Sequence, residues 1–275
     1  MLDIFQYEFM RNALFAGLLA GIACGIIGSL VVSNRIVFIA GGIAHSAYGG
    51  IGIAYYFGFP YILGTLGFSI VYAFFMAAIS IKEKYRSDTI IGVLWAIGMA
   101  IGIILTDLKP GYNVDLISYL FGSMITVPRT DIYIMIILTI FIALTVWYFY
   151  NNFLAMSYDI EFAQVRGVPI RFLYFLLLMM IAISVVIIIR VVGLILVIAL
   201  LTIPPYISEK YCVSLYKMMF FSIVLNWIFI IVGLIFSFFL NLTSGATIIM
   251  IASIAFFISL ALDRFKNRKI FEIPE

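Results

Sequence analysis

The sequence predicts an all-α protein, a polytopic membrane helix bundle of about eight to nine transmembrane helices with almost nothing outside the bilayer. Three observations lead there. Hydrophobic residues make up 65% of the chain and charged residues only 11%, less than half of the roughly 25% that a water-facing surface carries. The apolar residues come in runs close to the ~20 that a helix needs to cross the hydrocarbon. The polar segments between the runs sort by charge, basic on alternate connections, which is the pattern of a multi-pass topology.

Nine runs qualify: 10–32, 36–57, 60–81, 89–106, 132–150, 171–189, 191–207, 218–240 and 245–262. The first is too long for the hydrophobic region of a signal peptide, and Asp3 and Glu8 spoil the basic segment that should precede one, so it reads as a retained helix. The pair spanning 171–207 is interrupted only by Arg190, and Pro204-Pro205 should break its second member, leaving one helix short or tilted. If that pair merges, the count is eight. The segment 108–130 is amphipathic and reads as a surface or re-entrant helix, admissible at membrane depth only under protein cover. The whole chain, 1–275, forms one transmembrane domain with a short basic tail at 263–275.

With nine spans, Arg35, the Lys82–Arg86 cluster, Arg166 with Arg171, Lys210 with Lys217, and the tail from Arg264 to Lys269 share one side. The other side holds only Lys109, Arg129 and Arg190. The positive-inside rule then puts the C-terminus in the cytoplasm and the N-terminus outside. A net charge of +3 fits such anchoring. It forms no basic stripe for nucleic acid.

Small residues recur at helical spacing. Gly17, Gly21, Gly25 and Gly28 stripe the first span, and Gly41, Gly42, Gly49, Gly50 and Gly52 stripe the second, so both invite close neighbours. Cys24 and Cys212 stand far apart in apolar surroundings and predict two buried free thiols, with no disulfide and no structural metal site.

An ionisable group within the membrane is costly and is therefore a functional candidate. His45 is the only histidine. It lies well inside the second span, with Gly41 and Gly49 on its face and Gly42, Ser46 and Gly50 beside it. Neutral imidazole is a metal ligand and a proton acceptor; equally, it serves as an interhelical hydrogen-bond partner. Ser46, Tyr48, Asn226 and Thr202 read first as interhelical hydrogen-bond partners, and Asp107 and Asp115 either feed a cation entrance or remain solvated loop carboxylates.

The longest loop on the basic side is 151–169. Ser157 is placed to cap a short helix, Asp159 and Glu161 complement its dipole, and the helix should stop near Gly167, ahead of Pro169. Such a segment is either a plain connector or a rigid lever for a partner protein. The sequence has no phosphate-binding Gly-rich loop, no HExxH, no GxSxG and no paired intramembrane carboxylates. Those absences exclude ATP hydrolysis by this chain and an intramembrane metalloprotease.

Four segments, in order along the chain, resemble the zinc/manganese/iron permease family of ATP-binding-cassette importers. They are RIVFIAGGIAHSAYGGIG from Arg35, DIEFAQVRGVP from Asp159, VVGLILVIALLTIP from Val191, and SGAT from Ser244. The resemblance implies a non-catalytic permease that works as a homodimer with cytoplasmic ATP-binding subunits and an extracellular or periplasmic metal-binding protein. It implies a multi-pass protein of the prokaryotic cytoplasmic (inner) membrane that holds no permanent cofactor and moves zinc, manganese or iron as substrate. It implies that Asp159, Glu161, Ala163 and Gly167 couple to the ATPase, and that His45, with Ser46, Tyr48, Gly41 and Gly49 around it, lies on the metal path. Family members commonly carry an Asp four residues before this His. Here Gly41 stands there, which removes the paired carboxylate and puts zinc ahead of manganese. The rival classes are an ion-coupled secondary transporter, which predicts internal repeats and more intramembrane carboxylates, and a non-transport scaffold, which needs neither the His nor the lever.

Overall fold

A chain this apolar can satisfy its backbone in hydrocarbon only within helices, and the structure obeys. The computed structural model describes residues 8–82, 87–109 and 127–271, with side chains over 8–80, 88–109 and 127–263. Its helices are α1 (Glu8–Ser33), α2 (Val37–Phe57), α3 (Tyr61–Lys82), α4 (Ser87–Asp107), α5 (Arg129–Tyr148), α6 (Tyr150–Tyr158), α7 (Ile160–Val165), α8 (Ile170–Val192), α9 (Leu194–Tyr211), α10 (Leu215–Leu240) and α11 (Ser244–Phe271). Among the described residues, nine helices are long and apolar enough to cross a membrane, all except α6 and α7. The amphipathic segment expected at 108–130 lies mostly outside the described residues.

Helix direction can be read from the contacts. Along α1, Leu18 accepts a hydrogen bond from the Trp227 indole at 3.0 Å and Gly21 accepts one from the Asn226 amide at 3.2 Å, while Ser29 meets Ser222 at 3.2 Å. Rising numbers on α1 meet falling numbers on α10, so the two run antiparallel. Gly42 packs on Tyr72 and Met76 of α3 whereas Gly50 packs on Gly64 and Thr65, again antiparallel. On α4 the order is parallel, from Gly42 on Ile91 to Gly49 on Gly98 and Gly52 on Gly102. The alternation that nine spans require is therefore built into the contacts. One end of the bundle gathers the Glu8–Arg129 and Asp131–Arg190 ion pairs; the other gathers α6, α7 and the Lys210–Asp263 pair. The exposed Glu8–Arg129 pair contributes little, but together the three pairs mark which loops lie together.

Two departures from expectation have clear causes. Pro204 and Pro205 do not break α9; they lie within it. Each lacks an N–H, which frees the carbonyls of Leu200 and Leu201. The Leu201 carbonyl turns onto Gly28 of α1, where the missing side chain leaves room for a Cα–H···O contact, and Ser208 donates to the Pro204 carbonyl at 2.8 Å. The break falls instead at Gly193, whose φ of 85° and ψ of 162° separate α8 from α9, a conformation reserved in practice for glycine. Both cysteines are free, as expected, but Cys212 is only half-buried because it lies in the connection between α9 and α10.

The glycine stripes set how closely the helices approach. A Cβ added at Gly25 would lie 2.6 Å from the Ile223 side chain and 2.8 Å from its backbone nitrogen. At Gly41 the same atom would meet nothing within 4 Å. Gly25→Ala should therefore destabilise the bundle by about 1–3 kcal/mol, read as a lower midpoint of thermal unfolding in detergent, while Gly41→Ala should leave the midpoint unchanged or slightly raised.

Candidate functional site

The site forms where α2 meets α4. Glycines on both helices (Gly49 on Gly98, Gly52 on Gly102) bring the backbones together, and Ser46 sits against Gly98. One turn away this proximity lays the Trp95 indole flat on the His45 imidazole, with ring centroids 4.1 Å apart and an interplanar angle of 19°. The indole is held in turn: its Nε1–H donates to Met99 Sδ at 3.1 Å, and Phe38 packs against it at 6.0 Å. The imidazole is half-buried, and its buried Nδ1 has no hydrogen-bond partner among the described residues.

His45 shares its stripe of α2 with Gly41 and Val37, four and eight residues before it. Val37 lines a cavity of about 530 Å³ with Thr202 and Tyr206 of α9 and Phe256 of α11. The stripe thus runs from a cavity wall, past open space at Gly41, to an imidazole. The other residues expected around His45 point elsewhere. Ser46 donates to the Ile43 carbonyl of its own helix at 2.8 Å, Tyr48 is buried against Gly102, and Gly49 is the contact with Gly98. Thr202 likewise bonds within its own helix, to the Ile198 carbonyl at 2.8 Å. Of the four polar groups expected to bridge helices by hydrogen bonds, Asn226 does so, to Gly21; a serine or threonine hydroxyl reaches its own preceding turn more easily than a neighbouring helix. Trp95 escaped notice in the sequence. Its signal was the Gly98–Gly102 spacing three and seven residues after it, which matches the glycines of the second span.

Among the described residues, no three His, Cys, Asp or Glu side chains gather as a metal cage. Burial pushes the Cys212 thiol up from its ordinary range, with Lys217 opposing. Asp107 is exposed, Asp131 faces Arg190 at 3.4 Å, and Asp115 lies outside the described residues.

The second candidate region lies at the far end of the bundle. Phe149 ends α5 and α6 follows at once; Asp159 then adopts extended backbone (φ −153°, ψ 104°) and starts α7. Its Oδ1 accepts the Phe162 N–H at 2.9 Å. Asp159 is thus the cap, not Ser157, which sits inside α6 and accepts from the Asn34 side chain at 2.9 Å. Glu161 is exposed in the first turn, Ala163 is fully buried, and Gly167 has φ +76° just after the helix. The outward surface mixes exposed apolar residues, Val165 at 88% and Tyr158 at 70%, with exposed Glu161, Gln164 and Arg166.

Residues 6–263 match the family model described as the ABC 3 transport family. The chain belongs to the ABC 3 transport family. It is 50% identical over 264 residues to an uncharacterized membrane protein of Synechocystis, covering 96% of this chain and 94% of that one. It is 32% identical over 256 residues to a protein of Listeria innocua named as a manganese transport system membrane protein, covering 93% and 91%. Among solved structures it resembles PsaBC from Streptococcus pneumoniae in complex with Fab, with a TM-score of 0.84, 28% identity, and coverage of 94% and 93%. As an ABC 3 protein, the chain is a permease, the transport component of a metal ABC transporter.

Asp159→Ala should cost α7 about 1 kcal/mol of local stability, seen as roughly fivefold faster hydrogen exchange at the Phe162 amide, whereas Asp159→Ser, which keeps an acceptor, should exchange near the wild-type rate.

Proposed function

We propose that this permease carries a divalent transition metal inward through the stripe that joins Val37, Gly41 and His45, driven by ATP hydrolysis on separate subunits. The observation that carries the reading is the lone intramembrane histidine standing beside open space at Gly41. An imidazole in a membrane is costly unless it is used. A single nitrogen donor captures a metal without trapping it, as a closed tetrahedral site would. In this reading the chain works as a homodimer in a prokaryotic cytoplasmic membrane, N-terminus outside and C-terminus inside. An extracellular metal-binding protein delivers the ion, and cytoplasmic ATP-binding subunits engage α6 and α7.

The coupling role rests on shape and chemistry. α7 is capped by Asp159, anchored through buried Ala163, and presents Glu161 and exposed apolar residues outward. Together α6 and α7 form the connection from α5 to α8, so a push on them reaches two spans. The ion pairs at the opposite end engage Arg129 and Arg190, while Arg35, Arg166, Arg171, Lys210 and Lys217 stand at the end that holds α6 and α7. That distribution supports a cytoplasmic placement of α6 and α7.

For the cargo, two considerations pull apart. The Listeria innocua relative is named for manganese transport. The donor set here, imidazole without a carboxylate at position 41, suits zinc better. Uptake into vesicles holding the permease with its ATPase, supplied with its binding protein, decides between them by competition. His45→Ala should reduce metal uptake at least tenfold; uptake at the wild-type rate would take His45 off the path. Gly41→Asp has room for its side chain and should shift preference toward manganese by about tenfold.

Replacing Glu161 and Gly167 together, as Glu161→Ala with Gly167→Val, should lower substrate-stimulated ATPase activity at least tenfold while membrane insertion is unchanged. Full stimulation in that variant would make α6 and α7 a simple connector.

A further inference from the structure

A metal-ligating histidine normally has its second ring nitrogen hydrogen-bonded to a carboxylate, carbonyl or water, which sets the ring's orientation and its donor strength. His45 lacks that support among the described residues, where its buried Nδ1 meets no hydrogen-bonding side chain or backbone group. Its ring nonetheless has a defined orientation, imposed by the flat stack on Trp95 at 4.1 Å and 19°. The indole cannot itself swing away easily. Its Nε1–H is committed to Met99 Sδ at 3.1 Å, one turn along α4, and Phe38 leans on it at 56°.

Resting on the reading of His45 as a contact on the metal path, we infer that Trp95 is the positioning residue of that site, aiming the imidazole by π-stacking where a hydrogen bond would ordinarily do so. The arrangement suits a site that must release its ion. A stack constrains the tilt of the imidazole plane but adds no charge and no second donor, so capture stays weak. It also covers one face of the ring. Met99 and Phe38 act one step back, on the indole.

The test compares two substitutions in the complete transporter reconstituted with its ATPase and supplied with its binding protein. Trp95→Leu removes the stack; Trp95→Phe keeps an aromatic face on the imidazole and loses the N–H. The expected result is a KM for metal raised about tenfold in Trp95→Leu with maximal uptake within twofold of wild type, and a KM within threefold of wild type in Trp95→Phe. A packing defect would instead lower maximal uptake at unchanged KM, and that result overturns the inference. So does a wild-type KM in Trp95→Leu.

A second readout needs no transport. Manganese(II) chloride added to the purified protein should quench tryptophan emission saturably, and the saturable part should vanish in Trp95→Phe, where Trp147 and Trp227 remain, and in His45→Ala. A saturable quench that survives Trp95→Phe overturns the proposal. The two levels of the argument fail separately. If His45→Ala transports normally, the path reading falls and takes Trp95 with it. If His45→Ala is inactive while Trp95→Leu keeps its KM, Trp95 alone is wrong.

Discussion

Close backbone contact between helices is the constraint on which the rest of this molecule depends. In a bilayer the hydrophobic effect does not press one apolar helix against another, so packing must come from dispersion and a few hydrogen bonds. α1 and α2 answer with glycine at the crossing points, and the crossing partners come within backbone distance: Gly25 on Ile223, Gly28 on the Leu201 carbonyl, Gly52 on Gly102. These contacts organise two subassemblies. α1 collects α9 and α10 around it, and α2 is clasped by α3 and α4. Polar ties between α1 and α10, through Asn226, Trp227 and Ser222, add about 0.6 kcal/mol each, enough to select a register already favoured by shape.

The site is a by-product of the same packing. Gly49 and Gly52 draw α4 so close that its next large side chain, Trp95, has nowhere to go but across His45. A single chemically distinctive residue then acquires an orientation and a covered face. One turn before it, a side chain at position 41 would start in open space, and Val37, a further turn back on the same face of α2, lines the cavity. The far end is organised differently. There Asp159 breaks one short helix and starts another, and exposed apolar residues on α6 and α7 face away from the bundle.

Much of this could be read from the residues alone, and what could not has physical reasons. The nine spans were legible because hydrocarbon tolerates only one backbone solution, and His45 stood out because it is the only histidine in the chain. The fate of Pro204-Pro205 was not legible, since it hangs on whether a neighbouring helix offers room for the freed carbonyls; Gly28, far away in sequence, does. Ser46 and Thr202 misled because a hydroxyl has a ready acceptor one turn back on its own helix. The cap shifted from Ser157 to Asp159 because Asn34 claims the serine. Trp95 was invisible for a related reason: its role exists only once α2 and α4 are laid side by side in one register. Lone polar residues thus announce themselves in a sequence, while pairings between distant helices do not.

The contact between α1 and α10 has a consequence for how the protein is made. Gly21 and Asn226, which are hydrogen-bonded, are separated by 205 residues. At a ribosomal rate of about 5–20 residues per second, roughly 10–40 s pass between the emergence of one and the other. For that interval the first helix sits in the membrane with its glycine groove facing lipid, or facing whatever insertion machinery shelters it. The helix made first thus meets α10, one of its principal partners, only near the end of synthesis, so a chain truncated before α10 would hold a fully inserted but unclaimed α1. The glycine face of α1 therefore waits for α10 through the synthesis of the 205 residues that separate Gly21 from Asn226.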